Sequence, residues 1–428
     1  MSLRRLLVGL SAASGRLRFR SLSTTASSLL PWAIVDRLSL AYKSEPPTFH
    51  LAEPPRYSYL QMSGDLINAS AGPGPDSDAE QILVGLVSSS SGAADGLLLL
   101  MYCDARVGSP ILAQQGGKQV RQRTFNLVDG HKPDFTYLLC NPLSGQVSRL
   151  PNIHHGTTNA MCDPYMGLLT QADRAGHGLP ERFAVARFYP GETTILRFLS
   201  HEGRWDLAEC PLPEHPRAHR MGISQEPLAF RGRLWWVDLS CGAVSVDPFR
   251  DRTDSRFVEI PNASVLPRAA EQARVLRQYR RMGVSEGRLR YAEVSQREPF
   301  LLSSFKLDEE GVGDWTLEHR VPLSRVWAED GGWPPLQGEK TPEICVLDPS
   351  NAAIIHLVVG EHVVAVDMSA GKLIGSSPLR AHGAHNHGFI PCVLGSGQIP
   401  STGKDVSENQ SFAHVRVHSN SQWKYEEY

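Results

Sequence analysis

The 428-residue chain is 41% hydrophobic, enough to bury a large core as one big β architecture or as two modest domains. Its formal net charge is -2, and because the first 30 residues hold five arginines and no acid, the remainder carries 38 basic against 45 acidic residues. That mildly acidic body excludes a whole-surface nucleic-acid binder, which needs a concentrated positive field, while leaving room for a local basic patch.

In chain order, residues 1–34 read as an organelle transit peptide. They contain Arg4, Arg5, Arg16, Arg18 and Arg20, many serines and threonines, and no Asp or Glu before Asp36. Leu3, Leu6, Leu7 and Leu10 fall at i, i+3, i+4 and i+7, so a helix here carries an apolar stripe with arginines beside it, on which an import receptor and the membrane potential can both act. This pattern points to the mitochondrial matrix, with chloroplast or cytosol as alternatives, and the Ser21–Ser28 tract offers a processing zone. The apolar run Leu6–Ala13 is short and interrupted by Gly9, unlike a secretory signal. No stretch reaches the roughly 18 apolar residues of a membrane span, so a soluble mature protein is expected.

From Pro31 onward, short runs of Val, Leu, Ile, Phe and Trp alternate with Gly, Asp, Asn and Pro clusters, the pattern of many strands joined by tight turns. Phe135–Cys140 closes on Asn141-Pro142, Arg233–Leu239 on Ser240-Cys241-Gly242, and His362–Asp367 on Met368 through Gly371. Residues 68–78 read as a loop and 395–411 as the start of a flexible tail, giving expected units at 1–34, 35–395 and 396–428.

Strand groups end near proline at Leu150-Pro151, Leu212-Pro213, Ile260-Pro261, Val321-Pro322 and, more weakly, Ser377-Pro378, at intervals of 62, 48, 61 and 56 residues. Gly203-Arg-Trp205 and Gly313-Asp-Trp315 precede two of these ends, and Asn141-Pro142, Asp247-Pro248 and Asp348-Pro349 each follow a strand. Repeats of this size predict propeller blades, each a four-stranded sheet buried only by stacking on its neighbours. The expected fold is therefore all-β and propeller-like with about six blades, one of them assembled from residues 35–135; a pair of β-sandwiches is the alternative. Trp235 and Trp236 adjoin on one strand and must point to opposite faces.

One segment breaks the β texture. Pro267–Met282 has good helix formers, proline near its first turn and Gly283 beyond its end, which predicts an amphipathic helix. Arg274, Arg277 and Arg281 share one side of it at i, i+3 and i+7, and Arg288 and Arg290 follow. Residues 267–290 hold seven arginines against Glu271 and Glu286, a basic spot that reads either as a solvated face or as an anion-binding site for RNA or an anionic surface.

The stretch Phe230 to Leu239 (FRGRLWWVDL), then Ser245-Val-Asp-Pro248, Ile260-Pro261, Met282 to Tyr291 (MGVSEGRLRY), Asp314-Trp315, Leu347-Asp-Pro349 and Val364 to Met368 (VAVDM), resembles the plant family called domain of unknown function 1618. The resemblance covers most of residues 31–380. That family in turn resembles the propeller-like region behind F-box motifs in plant ubiquitin-ligase adaptors, and it implies no catalytic residues. A presequence stands here where an F-box would be.

No phosphate-binding loop, H-E-x-x-H, G-x-S-x-G or dinucleotide fingerprint occurs. The seven cysteines, at 103, 140, 162, 210, 241, 345 and 392, form no C-x-x-C and read as buried small residues in a reducing compartment. Asn68, Asn262 and Asn409 head chance N-x-S matches. His382, His385 and His387 form the nearest thing to a ligand cluster and read as a solvated loop, so no metal, cofactor or catalytic residue is expected. The sequence thus predicts a non-catalytic binding or scaffold module with an unknown protein partner. Its alternatives are an RNA- or anion-binding protein using residues 267–290 and a propeller enzyme with a non-local site.

Overall fold

The computed structural model describes residues 30–42, 45–67, 80–92, 95–107, 111–115, 118–122, 134–153, 165–172, 180–262, 273–308, 314–329, 341–379, 388–401 and 410–418. The chain divides into Met1–Leu30 and Pro31–Tyr428. Of the expected presequence, residues 1–29 lie outside the described residues, but Trp32–Asp36 is a strand whose Trp32, Ala33 and Ile34 are buried. The folded unit therefore starts a few residues before the boundary that the composition drew.

Strand alternation and turn chemistry form four regular antiparallel sheets. The first joins Gly167–Ala172, Pro180–Phe188, Thr194–Leu199 and Arg204–Glu209. The second joins Leu228–Phe230, Arg233–Asp238, Gly242–Val246 and Ser255–Glu259. The third joins Arg280–Ser285, Arg288–Val294, Leu301–Leu307 and Trp315–Pro322. The fourth joins Glu343–Leu347, Ile354–Val359, His362–Asp367 and Lys372–Pro378. Asx turns stop the strands where the sequence places them: Asn141 Oδ1 accepts from the backbone N–H of Leu143 and Ser144, Asp348 Oδ1 from Ser350 and Asn351, and Asp367 Oδ1 from Ser369 and Ala370.

The fifth sheet has eleven strands and holds both ends of the folded unit. Trp32–Asp36 pairs antiparallel with Phe389–Val393, and Leu38–Tyr42 pairs antiparallel with Glu80–Ser90. Arg37 sits between them, its N–H donating to Gly388 O at 3.2 Å and its carbonyl accepting from Val87 N at 2.8 Å. One continuous segment thus fuses what would otherwise be two blades. That is why the structure is an all-β propeller of five blades and not six.

Contacts between innermost strands run round a closed circuit, from Glu80–Ser90 to Gly167–Ala172, Leu228–Phe230, Arg280–Ser285, Glu343–Leu347, Phe389–Val393 and back. Closure removes the inner edges that so many short strands would otherwise expose. Apolar layers fill the spaces between blades. Trp236 is wholly buried with Phe188, Ile195 and Val244, whereas Trp235 packs on the other face with Leu276, Met282 and Tyr291, so both are blade packers. The recurring tryptophans also tie blade to blade: Trp205 Nε1 donates to Pro151 O and Trp315 Nε1 to Glu259 O, each at 2.7 Å, at the proline-marked end of the preceding blade.

Two expectations are corrected. The helix over 267–282 is shorter: α1 spans Ala273–Tyr279, residues 267–270 and Glu271 lie outside the described residues, and Arg280–Ser285 is the innermost strand of the third blade. A six-residue ladder with Arg288–Val294 overrides the helix propensity of that stretch. The second described helix, α2 (Leu323–Glu329), buries Leu323, Val326 and Trp327. The tail expected to be flexible is in part built into the sheet. Gln410–Phe412 pairs with Gln146–Arg149, and His414–His418 runs parallel to Thr48–Ala52, so the segment straps two outer edges of the eleven-stranded sheet together. No helix among the described residues is long and apolar enough to cross a membrane.

Candidate functional site at the ring centre and its neighbouring groove

The innermost strands bring charged side chains from distant parts of the chain to one place. Arg37, at the bend of the first long segment, is buried and donates from Nε to Val87 O at 3.1 Å, with Nη1 3.5 Å from Glu226 Oε2. Glu226 is buried just ahead of Leu228–Phe230, and its other oxygen accepts a hydrogen bond from Arg281 Nη2. Arg281 Nη2 also donates to Phe389 O at 2.6 Å. Next to Glu226, the Gln225 amide exchanges two hydrogen bonds with the Met282 backbone, at 2.6 Å and 2.9 Å. One carboxylate between two guanidiniums therefore pins the second blade to the third and to the closing sheet. Burial pushes the Arg37 guanidinium below its ordinary pKa, Glu226 pulls it back up, and Arg277 and Arg281 push it down again.

Two further groups belong to this neighbourhood. Burial raises the Asp36 carboxyl from its ordinary 3.8 to about 6, partly offset by the Leu38 N–H that it accepts at 2.9 Å. Burial also pushes the Cys345 thiol up, with Arg281 lowering it and Asp36 raising it. Other thiols follow the same rule: Cys210 and the half-buried Cys241 are pushed up by burial to about 11 and about 12, and Cys140 and Cys392 are likewise raised. Thiols held this far above neutrality supply almost no thiolate, which is the nucleophilic and metal-binding form. The described cysteines carry no disulfide, and Cys162 lies outside the described residues.

The helical face expected for Arg274, Arg277 and Arg281 is not formed, because Arg281 lies on the strand that follows α1. Arg274 and Arg277 lie on α1, where Arg277 is half-buried beside Arg37 and nothing is described of the Arg274 side chain. Arg281 is on the inner strand, committed to Glu226. Arg288 opens the next strand, and Arg290 on it is buried, bonded to Glu318 through Nη1 and 3.6 Å from Glu286 through Nη2. Of these arginines whose side chains are described, Arg277 and Arg281 reach the ring centre, where Arg37, Gln225 and Glu226 join them. Those three carry no sequence signal, since an ion pair 189 residues apart leaves no spacing to read. The His382, His385 and His387 cluster lies outside the described residues, and among the described residues no group of three or more His, Cys, Asp or Glu is placed to hold a metal ion.

On the second blade, a groove of about 660 Å³ is lined by Glu214, Arg217, His219, Arg220, Asp238 and Cys241, among others. Its floor is fixed: Asp238 is buried and accepts from Gly222 N at 2.7 Å, Ser240 N at 2.8 Å and Ser240 Oγ at 2.6 Å. Its rim is charged and exposed. Arg217 pairs with Glu259 at 3.4 Å, and His215 meets the same carboxylate at 3.0 Å.

The blades, their closure and this arrangement define a five-bladed β-propeller. Residues 236–364 match the model of the family described as "Protein of unknown function (DUF1618)", the family that the motifs resemble. A comparison with curated proteins gave no match. Among solved structures, the chain is similar to AztD of Citrobacter koseri, with 11% identity and a TM-score of 0.27 over 72% of this chain and 76% of that one. It is also similar to the β-propeller domain of Myceliophteria thermophila Cps50 (Swd1), with 9% identity and a TM-score of 0.31 over 77% of this chain and 100% of that one. Likenesses at these values carry no argument about function.

Proposed function

We propose that the protein is a non-catalytic binding or scaffold module of the mitochondrial matrix, with a protein partner. The observation that carries the reading is the state of the buried ionisable groups at the ring centre. Glu226 is held between Arg37 and Arg281, so these side chains serve to lock blades together. The raised thiols support the same reading, since catalysis needs a nucleophile activated and not suppressed. A rigid ring leaves its rims and grooves for recognition, and the groove with Arg217, Arg220 and Glu214 at its mouth offers charges of both signs to a folded partner. An anion-binding reading is weakened because Arg281 and Arg290 already face Glu226 and Glu318. Proximity labelling that compares the wild type with a groove variant tests the module reading.

The matrix assignment rests on the acid-free, arginine-rich start of the chain. Residues 1–34 fused to a reporter are expected to direct it into mitochondria. In the full-length protein, processing is expected within Ser21–Leu30, ahead of the strand that begins at Trp32. Microscopy and amino-terminal sequencing of the mature protein check this; a reporter that stays cytosolic or enters only plastids overturns it.

A further inference from the structure

The carboxy-terminal strap ends on an unusual contact. His418, its last described residue, places Nε2 3.3 Å from Nδ1 of His50 on the strand it pairs with. The ring planes differ by 3° with centroids 5.6 Å apart, so the rings lie nearly end to end, the geometry of an N–H···N hydrogen bond. Such a bond requires one ring to donate and the other to keep a bare lone pair. We propose that this pair is a pH-operated latch: His50 and His418 hold the strap against the propeller while one nitrogen is unprotonated, and a second proton releases it.

The chemistry follows from the shared hydrogen. The first proton taken up by the neutral pair leaves one imidazolium donating to a neutral ring; the second, added to the accepting nitrogen, removes the acceptor and leaves two imidazolium cations facing one another. No oxidant or co-reactant is involved. The docked strap therefore resists that second proton relative to the free one, and by linkage docking weakens as pH falls through the range in which the second proton binds.

The surroundings make a second positive charge harder to accommodate. Tyr59 stacks on His50 with centroids 4.2 Å apart, fixing the ring on its strand. On the strap, Arg416 is the register partner of His50, with His414 two residues before it. Arg56 donates from Nη2 to the His418 carbonyl at 3.2 Å. Glu53, whose carbonyl accepts from the Arg56 N–H, is the one carboxylate in the adjoining turn. Against that carboxylate stand Arg56, Arg416 and His414.

Backbone pairing, more than apolar burial, holds the rest of the strap. Phe412 and Val417 are 69% and 52% exposed, so it buries few apolar side chains. Its attachments are the short ladder to Gln146–Arg149, the parallel ladder to Thr48–Ala52, and backbone bonds from Ala413 N to Gly145 O and from His414 N to Pro47 O, both 2.7 Å. Losing the terminal histidine bond therefore loosens the strap from its end, and release of that end bares the outer edge of Thr48–Ala52.

Hydrogen exchange of the full chain, read by mass spectrometry at about pH 8 and about pH 5 and corrected for intrinsic exchange, tests the latch. The inner strand Arg233–Asp238 serves as the reference. Protection over residues 410–418 is expected to fall about tenfold more than that of the reference on acidification, the size of one unit of coupling between the two rings. His50→Asn and His418→Asn each keep a hydrogen-bonding group but remove one titrating ring, and each is expected to abolish the extra loss. A wild-type strap that tracks the reference at both pH values overturns the proposal. So does an acid effect of unchanged size in both variants.

Discussion

Replacing Glu226 by glutamine is expected to destabilise the protein by roughly 3–5 kcal/mol, the cost of breaking a buried ion pair by removing one partner. The carboxylate is almost fully enclosed and lies between two guanidiniums that are themselves buried, Arg37 and Arg281. Glutamine keeps the volume but leaves two cations facing each other where water cannot screen them. The loss exceeds that of an exposed pair such as Arg204 with Glu202, which contributes at most about 1 kcal/mol. Replacing Arg37, Glu226 and Arg281 together by leucine should recover much of the loss, because a packed apolar cluster carries no desolvation penalty. Chemical denaturation of the three proteins measures both effects. A Glu226→Gln variant within about 1 kcal/mol of wild type would show that the cluster does not lock the blades.

Asp36→Asn is expected to act in the opposite direction. The Asp36 carboxyl titrates at about 6 in the folded protein against an ordinary 3.8, so folding favours its protonated form. A carboxyl raised in this way weakens the fold as pH rises: the penalty is absent below the ordinary value, grows through the window between 3.8 and about 6, and is complete above it. A shift of about two units corresponds to about 3 kcal/mol. Asparagine carries no charge and still offers Oδ1 to the Leu38 N–H. The variant should therefore be more stable than wild type near pH 8 by up to that amount and equal to it near pH 4, as measured by thermal or urea unfolding across the range. A variant less stable than wild type at pH 8 would contradict the assigned burial cost.

Features written locally were readable from the sequence. Strand and turn alternation placed Arg233–Asp238 and His362–Asp367, and the Asx residues that stop strands in the structure are those next to the turn signals. The tryptophans of the repeat proved to be inter-blade donors because their spacing repeats with the blade. Features that depend on pairing across the chain were not readable. The fusion of two blades through Arg37 needs the register of Trp32–Asp36 with Phe389–Val393, which no local pattern encodes. The strap was read as a tail because its strands are short, polar and largely exposed, and only their pairing with Thr48–Ala52 and Gln146–Arg149 makes them strands. Arg281 fits a helical face by periodicity, yet tertiary pairing makes it strand and turns its charge inward to Glu226. At the candidate site the sequence identified Arg277 and Arg281 as basic but gave no hint of Glu226, the group that neutralises them.

The proposed recognition of a protein partner through the propeller's rim is tested most directly by quantitative proximity labelling in intact cells and isolated mitochondria, with both protein and RNA recovered. Wild type is compared with the double variant Arg217→Glu/Arg220→Glu, whose exposed positions at the groove contribute little to stability. A discrete set of labelled proteins is expected to fall to background in the variant, with RNA at background in both. An identical protein set in the two samples, or strong RNA recovery that the groove variant leaves unchanged, would contradict it.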